Sequence, residues 1–462
     1  MIDKKLASDM LSAVLKEGAD FAELFIEDRY SANVNMVNGD IDNALSGKSF
    51  GVGIRALKEN LGVYGYTNDL SKDTLLKVAQ KVGKATKGDN SEQQNLDFTD
   101  QEKENKHFFR ISPEDVGSQE ISKLMEEAHN GAISYSETIS QVMVRFLSYD
   151  QNVWIYNSEG LATSDRRVRT RLVVMAVATK DGVKETGFYG PGAAMGYEFF
   201  DVVNPYDVGV RAGRIASRMV EADFAPAEKM PVIIANEFGG VIFHEACGHS
   251  LEATSVAKGS SVFAGKLGEK IAADNVSAVD DGTIPNAWGS ANIDDEGNPT
   301  RRNLLIEKGI LKGYLVDKLN GRRLQMKPTS SSRRQNYKYA PTSRMSNTFI
   351  LCGNYYPEEI ISNTEYGLYA RSMGGGSVVP ATGEFNFSVR EGYLIKDGKI
   401  SKPVRGATLV GKGSEILKKI DMIGNDLERG QGMCGSASGM IPVDVGQPTL
   451  RVSELTVGGR NE

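Results

Sequence analysis

The sequence predicts an α+β protein in which a mixed α/β N-terminal part precedes a β-rich, barrel-like C-terminal part. In residues 1–225, segments with an apolar residue at every third or fourth position alternate with segments in which apolar and polar residues alternate singly. These two periods are typical of amphipathic helices and of half-buried strands. From residue 226 onwards the chain is rich in glycine and in short strand-like runs, and helical patterns are few. We therefore predict two domains, over residues 1–225 and 226–462.

The N-terminal domain is predicted to begin with a helix, because apolar residues such as Met10 and Val14 recur at a helical spacing. Two groups of alternating segments, over residues 21–66 and 141–182, are interpreted as strand meanders with tight turns. Further helices are predicted over residues 71–85, 113–132 and 203–221. Residues 86–110 are polar and charged, which predicts a linker or an exposed loop.

The composition and the charge argue against several classes of protein. The 462 residues carry a formal net charge of −6, so nothing indicates a positive field that would hold the whole chain on nucleic acid. The three cysteines are too few, and odd in number, for a disulfide framework. The first residues lack a signal-peptide pattern, and no run of about 18 apolar residues predicts a membrane span. We therefore expect a cytoplasmic protein that does not enter a membrane.

Two of the four histidines lie five residues apart in the run HEACGH, an H-E-x-x-x-H pattern. On a regular α-helix, residues five apart are rotated by about 140° from each other and could not bind one ion. A single π-type turn would bring His244 and His249 to one side, and Gly248 would lower the cost of that distortion. The sequence therefore predicts a metal-binding helix with one π-type turn in the C-terminal domain. The alternative is that one histidine caps the helix while the other packs in the core.

The residues around this pair fit the hydrolysis of a peptide bond assisted by a metal ion. Neutral imidazoles bind Zn²⁺ at about 2.0–2.1 Å. A carboxylate beside them, here Glu245, can take a proton from water whose pKa the ion lowers to about 7. The other two histidines, His107 and His129, lie in or beside polar segments without such neighbours. We therefore predict a zinc-dependent peptidase in which His244 and His249 bind the metal and Glu245 activates water.

A third protein ligand is needed, because catalytic zinc ions usually have three. Glu252 follows His249 by three residues and could face the same way. Cys434 lies in a glycine-rich run, where a short side chain can approach a site closely, and its thiolate is a good zinc ligand. Cys247 and Cys352 are interpreted as core residues. The residue pattern alone leaves the third ligand open.

Four runs in the C-terminal half match the motifs of one known family. HEACGHSLEA at residues 244–253 and GMCG at residues 432–435 are two of them. RMSNT at residues 344–348 is similar to R-M-T-N-T, and residues 374–385 are similar to G-G-G-x-V-x-P-x-T-G-E-F. The chain thus resembles the TldD branch of the TldD/PmbA family of zinc metallopeptidases.

The resemblance implies a zinc site made of His244, His249 and Cys434, with Glu245 as the general base. It also implies a mixed α/β N-terminal part and a β-rich C-terminal part around the site. Members of the family cut small or unfolded peptides and work as dimers. A homodimer, or a heterodimer with a PmbA/TldE-like sister subunit, is therefore expected, with this chain as the catalytic subunit.

The triple glycine at residues 374–376 lacks the lysine and the serine or threonine of a phosphate loop. We interpret it as backbone room near the active site, where Gly375 and Gly376 are candidates for binding an extended peptide substrate. An exposed turn is the alternative.

Two other functions compete with the peptidase. Basic residues from Arg322 to Arg334, with tyrosines nearby, could bind nucleic acid. The acidic net charge favours a solvated loop instead, so nucleic acid is not the expected partner. A loop near the active-site mouth, which contacts peptide carbonyls or a carboxyl terminus, is a further alternative. The other competitor is a regulatory or structural zinc-binding protein without turnover, whose site would be closed by Cys247 or Glu252 as a fourth ligand.

Overall fold

The structure is a computed structural model that describes residues 2–87, 96–101 and 103–460. Its N-terminal part is built on one large, mainly antiparallel sheet. The strands of this sheet are β1 (Phe21–Val37), β2 (Asp40–Lys58), β3 (Leu61–Thr67), β4 (Thr99–Asp100), β5 (Ile139–Asn157), β6 (Leu161–Lys180), β7 (Val183–Tyr189) and β8 (Gly192–Ala193). Their order is β3-β2-β1-β5-β6-β4, and β7 and β8 also pair with β6. Both predicted meanders are therefore confirmed, and they join into one sheet through β1 and β5.

The helices of the N-terminal part pack on this sheet in two pairs. They are α1 (Lys4–Lys16), α2 (Lys72–Lys84), α3 (Ser118–Ile133) and α4 (Pro205–Met219). The apolar faces of α1 and α2 share a core with β1 and β2, and those of α3 and α4 share a core with β5 and β6. The predicted helices are confirmed, except that the segment expected to begin helix α3 at Pro113 forms a separate 3₁₀ turn over Pro113–Asp115.

Part of the predicted linker near residues 86–110 packs against the sheet. Residues 88–95 and 102 lie outside the described residues. Within the remainder, β4 pairs in parallel with β6, and the ring of Phe98 lies 5.2 Å from that of Tyr156 in an edge-on contact. These apolar contacts hold the segment on the sheet although most of its side chains are polar.

The C-terminal part is rich in strands, as predicted. Its strands are β9 (Asp223–Phe224), β10 (Glu228–Ile234), β11 (Ala278–Asp281), β12 (Arg302–Glu307), β13 (Ile310–Leu311), β14 (Ser332–Arg333), β15 (Thr342–Ser343), β16 (Asn347–Ile350), β17 (Tyr366–Val379), β18 (Glu384–Lys396), β19 (Lys399–Arg405), β20 (Thr408–Lys412), β21 (Ile420–Ile423), β22 (Glu428–Ser436), β23 (Gly439–Gln447) and β24 (Leu450–Gly458). Its α-helices are short: α5 (Val241–Ala246), α6 (Ala253–Val256), α7 (Lys318–Leu324), α8 (Pro357–Ser362) and α9 (Gly413–Ile416).

Five of these strands close into a barrel. Each pairs with the next in the order β17-β10-β24-β20-β18, and β18 pairs again with β17. A second sheet, with the order β13-β12-β11-β16-β23-β22, lies beside it and ends at the edge strand β22. The predicted fold class, a mixed α/β N-terminal part followed by a β-rich, barrel-containing C-terminal part, is confirmed. The division into domains at residues 225 and 226 stays a prediction.

None of the helices in the described part of the chain combines the length and the apolar character that crossing a bilayer requires.

Candidate metal centre

Helix α5 carries His244 and Glu245 and lies between the barrel and the second sheet. Its apolar residues 241–243 are buried in the core of the C-terminal part. Gly240, just before the helix, lies so close to Gly446 on β23 that a Cβ would overlap the backbone of that strand. This close approach fixes where α5 begins, and therefore where its two polar residues are presented.

The backbone between the two histidines breaks, and the predicted π-type turn is wrong. Helix α5 ends at Ala246, Cys247 adopts φ −128° and ψ −52°, and a 3₁₀ turn follows over Gly248–Leu251. The break changes the direction of the chain, so that the ring centroids of His244 and His249 come within 4.9 Å. The two histidines are therefore brought together by two short helical segments with one non-helical residue between them, and not by a single distorted helix.

Gly248 is needed for packing at this break. A Cβ at this position would overlap the Sδ of Met345, whose side chain is fully buried. Because Met345 belongs to the run at residues 344–348, that run and the break hold each other in position. The sequence predicted that Gly248 lowers the cost of distorting a helix. In the structure a glycine is required at this position because a larger residue would overlap Met345.

Cys434 on β22 completes a triangle of ligand atoms with the two histidines. Its Sγ lies 3.3 Å from Nε2 of His244 and 3.3 Å from Nε2 of His249, and the ligand atoms of all three lie within 4.8 Å of one another. A tetrahedral zinc ion with ordinary bond lengths separates a nitrogen and a sulfur ligand by about 3.6 Å. The observed separations are close to that value, so the donor set fits one ion.

The electrostatics of the triangle favour an ionised thiol. Burial would raise the pKa of Cys434, but the neighbouring imidazoles of His244 and His249 outweigh burial and lower it to about 3. Burial likewise acts to lower the pKa of His249, but Glu252 and Cys434 raise it well above its usual value of 6.5. The group therefore offers a thiolate, which is the form of cysteine that binds metals.

Glu252 lies behind His249 and, among the described residues, is not one of the grouped ligand atoms. Its Oε2 is 3.2 Å from Nδ1 of His249, the ring nitrogen opposite to the one that faces Cys434. Its Oε1 is 3.7 Å from Nε of Arg344, and Arg344 donates a hydrogen bond of 2.6 Å to the backbone carbonyl of Cys434. A carboxylate at this place fixes the ring and leaves Nε2 available to a metal.

Glu245 stands beside the ligand atoms. Its Oε2 is 3.7 Å from Nε2 of His249, and its side chain is 20% exposed. Since that nitrogen is one of the three ligand atoms, the carboxylate lies at the edge of the space that an ion would fill. Its partial exposure gives water access to the same place.

The remaining cysteines and histidines are not among the grouped ligand residues in the described part of the chain. Cys247 is fully buried in the core, and burial raises the pKa of its thiol. Cys352 is exposed, so its prediction as a core residue is wrong: strand β16 ends at Ile350, before the cysteine is reached. His107 and His129 belong to the N-terminal part and are not in the grouped ligand set.

The three glycines on β17 serve two different purposes. A Cβ at Gly374 or Gly376 would overlap Ser388 or Phe387 on β18, so these two glycines allow close packing. A Cβ at Gly375 would meet nothing within 4 Å, and Gly375 lines a cavity of about 270 Å³. Of the two candidate substrate-binding glycines, Gly375 faces open space and Gly376 packs against the barrel wall.

The basic stretch from Arg322 to Arg334 joins the two parts of the chain, and its interpretation as a solvated loop is wrong. Arg334 is fully buried and donates a hydrogen bond of 2.7 Å to Glu23 on β1. Arg322 donates one of 2.5 Å to Asp20, just before β1. Both cations have acidic partners in the N-terminal part, which further weakens the case for a nucleic acid ligand.

Sequence reasoning missed the roles of two residues at the centre. It treated Glu252 as a candidate ligand and gave Arg344 no role, whereas these residues connect His249 to the carbonyl of Cys434. Both lie within runs that resemble the family motifs, at residues 244–253 and 344–348. That resemblance was the available signal, but it does not say which atoms meet.

Comparison with known proteins shows the family of the chain. Residues 22–86, 111–220 and 227–459 match domain 1, the central domain and the C-terminal domain of the PmbA/TldA metallopeptidases. The chain belongs to the TldD/PmbA metallopeptidase family. The suspected resemblance is therefore confirmed, and the matches extend over both the N-terminal sheet and the barrel.

Several relatives of similar length are metalloproteases by name. The TldD homolog of Buchnera aphidicola subsp. Schizaphis graminum is 34% identical, over 95% of this chain and 93% of that protein. The TldD homolog of Haemophilus influenzae is also 34% identical, over 96% and 93%. A metalloprotease of Methanothermobacter thermautotrophicus is 30% identical, over 98% and 100%. The chain is a metalloprotease of this family, with a candidate metal site at His244, His249 and Cys434.

Solved structures share the fold. A protein of Thermotoga maritima titled a putative modulator of a DNA gyrase gives a TM-score of 0.81 at 22% identity, covering 98% of this chain and 100% of that one. TldE of Thermococcus kodakarensis gives 0.77 at 18% identity, over 98% and 100%. At these identities the likeness concerns the fold alone.

Proposed function

We propose that the chain is a zinc-dependent peptidase that hydrolyses small or unfolded peptides, with His244, His249 and Cys434 as ligands and Glu245 as the general base. The observation that carries the proposal is the approach of three ligand atoms to within 4.8 Å, with a carboxylate oxygen 3.7 Å from one of them. A thiolate among the ligands favours zinc over iron or manganese. A relative from Saccharolobus solfataricus, 28% identical over 74% of this chain, is named a zinc metalloprotease, which supports the same metal.

The protein's own side chains carry the proton transfers in this proposal. Zinc, when bound, supplies a Lewis acid that polarises the scissile carbonyl and activates water. Glu245 accepts a proton from the attacking water on its carboxylate and passes it to the leaving amine. Glu252 holds a proton on Nδ1 of His249, which keeps Nε2 as the free ligand atom.

An unpaired strand edge in the C-terminal part suits an unfolded substrate. Among the described residues, β17 pairs with β10 only at residues 368–370, so its later part, including Gly375, has one free edge. Strand β22, which carries Cys434, also pairs only with β23 within the same residues, but side chains already donate hydrogen bonds to its carbonyls at residues 431, 432 and 434. The available edge is therefore that of β17. A peptide that adds a strand to such an edge is held by main-chain hydrogen bonds, so many sequences can bind.

The alternative of a closed, non-catalytic zinc site needs a fourth protein ligand, and neither Cys247 nor Glu252 is in position to be that ligand. Cys247 is fully buried in the apolar core, where burial raises the pKa of its thiol and so disfavours the thiolate that a metal needs. Glu252 lies on the far side of the His249 ring from the ligand triangle. These two observations favour a site with an open position, which is typical of catalytic zinc.

Zinc content and hydrolysis of an unfolded peptide, measured in the same samples, test the proposal. Cys434→Ser should lose zinc, whereas the exposed Cys352→Ser is the matched control and should keep both zinc and activity. Glu245→Gln should keep zinc and lose at least about 100-fold in kcat, the usual contribution of a general base. Full activity in the Glu245→Gln variant would show that Glu245 is not the general base. Zinc binding by a chain that cuts no peptide would favour the non-catalytic alternative.

We also propose that the chain works in the cytoplasm as a dimer, either with itself or with a TldE-like sister subunit. The fold shared with TldE over 98% of this chain supports such a pairing, since two chains of one fold can form a pseudo-symmetric pair. Light scattering on the purified chain gives its mass in solution. A monomer that cuts peptides at full rate would show that no second subunit is needed.

A further inference from the structure

The cavity of about 270 Å³ is lined in part by the segment of β22 that leads to Cys434. Gly432 and Met433, the two residues before Cys434 on β22, form part of its wall. Gly375 on β17 and Phe188 on β7 form other parts, so the cavity lies between the N-terminal sheet and the C-terminal part. A peptide that lies along the free edge of β17 at Gly375 would therefore pass this cavity.

Three arginines and one glutamate line the cavity, and two of the arginines have partners. Arg211 donates two hydrogen bonds to Glu237, which satisfies the one acidic group of the wall. Arg171 donates to the backbone carbonyls of Gly190 and Gln431. These two guanidinium groups therefore hold the walls together.

Arg390 is the third arginine, and it forms no hydrogen bond or ion pair with any residue that the structure describes. Its guanidinium carbon lies 4.3 Å from the ring centroid of Phe188, a contact that uses a face of the guanidinium and none of its N–H donors. Burial lowers the pKa of Arg390, and no acidic neighbour raises it again. A partly buried cation without a counter-charge is costly, so an anionic group that enters the cavity would be stabilised there.

We propose that this cavity binds a carboxylate of the peptide substrate and that Arg390 selects it. The inference rests on the proposed peptidase function, because that function supplies a peptide next to the cavity. The planar guanidinium matches a carboxylate with two parallel hydrogen bonds. Phe188 and Met433 form apolar parts of the wall, against which the carbon atoms next to the carboxylate can pack. A C-terminal carboxylate and an aspartate or glutamate side chain share this chemistry, and the test separates them.

Binding of labelled peptides to the Glu245→Gln variant measures recognition apart from cleavage. Three octapeptide pools are compared by fluorescence anisotropy: amidated peptides without acidic residues, the same peptides with a free C-terminal carboxylate, and amidated peptides with one glutamate. One carboxylate pool should bind at least about tenfold more tightly than the neutral pool, the usual gain from a charged hydrogen bond. The pool that does so identifies the source of the carboxylate. Equal binding of all three pools, or none, would overturn the inference.

Variants in the same background assign the preference to Arg390. The Arg390→Gln variant should bind all three pools with the affinity measured for the neutral pool. Arg371 is an exposed arginine on β17 outside the cavity, and the Arg371→Gln variant should keep the preference for a carboxylate. Gly375→Glu is a second variant, which is needed if thermal melting shows that the Arg390→Gln protein is not folded. It adds a competing carboxylate where a Cβ has open space, and it should also abolish the preference. A preference that survives in a folded Arg390→Gln protein contradicts the inference. If the wild-type chain prefers peptides with a carboxylate but cuts none of them, the result contradicts the proposed peptidase function and leaves the carboxylate site supported.

Discussion

The replacement Glu252→Gln tests whether the carboxylate behind His249 sets the affinity for zinc. It keeps the shape of a buried side chain and removes the charge that lies 3.2 Å from Nδ1 of His249 and 3.7 Å from Nε of Arg344. Loss of such a partner weakens metal affinity by about 10- to 100-fold, or about 1.4–2.7 kcal/mol. We expect the upper part of this range, because Arg344 is fully buried and would lose its carboxylate partner as well.

Competition with a chromophoric chelator at neutral pH gives the zinc affinity, and peptide hydrolysis at saturating zinc gives the activity. Hydrolysis should fall much less than zinc affinity, because the three ligands and Glu245 are unchanged. The matched control is Glu307→Gln, a surface glutamate whose ion pair with Lys312 is exposed to solvent. Wild-type zinc affinity in Glu252→Gln, or an equal loss in the control, would refute the reasoning.

Three further predictions concern Gly248, His107 and the reactivity of the cysteines. Gly248→Ala should lower the free energy of unfolding by about 1–3 kcal/mol in urea titrations, because the new methyl group overlaps Met345; a smaller residue at 345 should restore part of it. Burial, with the charge of Arg169 second, lowers the pKa of His107 to about 4, below the unfolded value of about 6.5. The unfolded chain therefore binds the extra proton first, and acidification from pH 6.5 to 4 should remove up to about 3 kcal/mol of stability, a loss that His107→Gln should not show. In the native protein a maleimide should label Cys352 quickly and Cys247 only after unfolding, as peptide mass spectrometry would report.

The order of helices and strands could be predicted because it depends on local periodicity. Helices α1, α2 and α4 follow from the spacing of apolar residues, and the turns between β1, β2 and β3 follow from Asn-Gly and Glu-Asn pairs. The short helices α7 and α8 could not be found in the same way, because six or seven residues hold too few repeats of a helical pattern. Tertiary packing supports them instead.

The identity of the candidate ligands was also accessible, because few residues in this sequence have the required chemistry. Two of only four histidines lie five residues apart in one motif, and Cys434 lies in a run that resembles a family motif. Their geometry was not accessible, since the break at Cys247 depends on the contact between Gly248 and Met345, residues 97 positions apart in the sequence. The burial of Arg334 has the same cause: its partner Glu23 lies 311 positions away. A local pattern reports neither contact.

The centre joins two sheets, which couples metal binding to folding. His244 and His249 follow the barrel strand β10, whereas Cys434 lies on β22 of the second sheet. Arg344 links them, because it contacts Glu252 behind His249 and the backbone carbonyl of Cys434. The three ligand atoms therefore meet only when the barrel and the second sheet are packed together, and an unfolded chain has no comparable site. Zinc at 100 times its dissociation constant should then add about 2.7 kcal/mol to the stability of the folded chain, and this gain should disappear in Cys434→Ser.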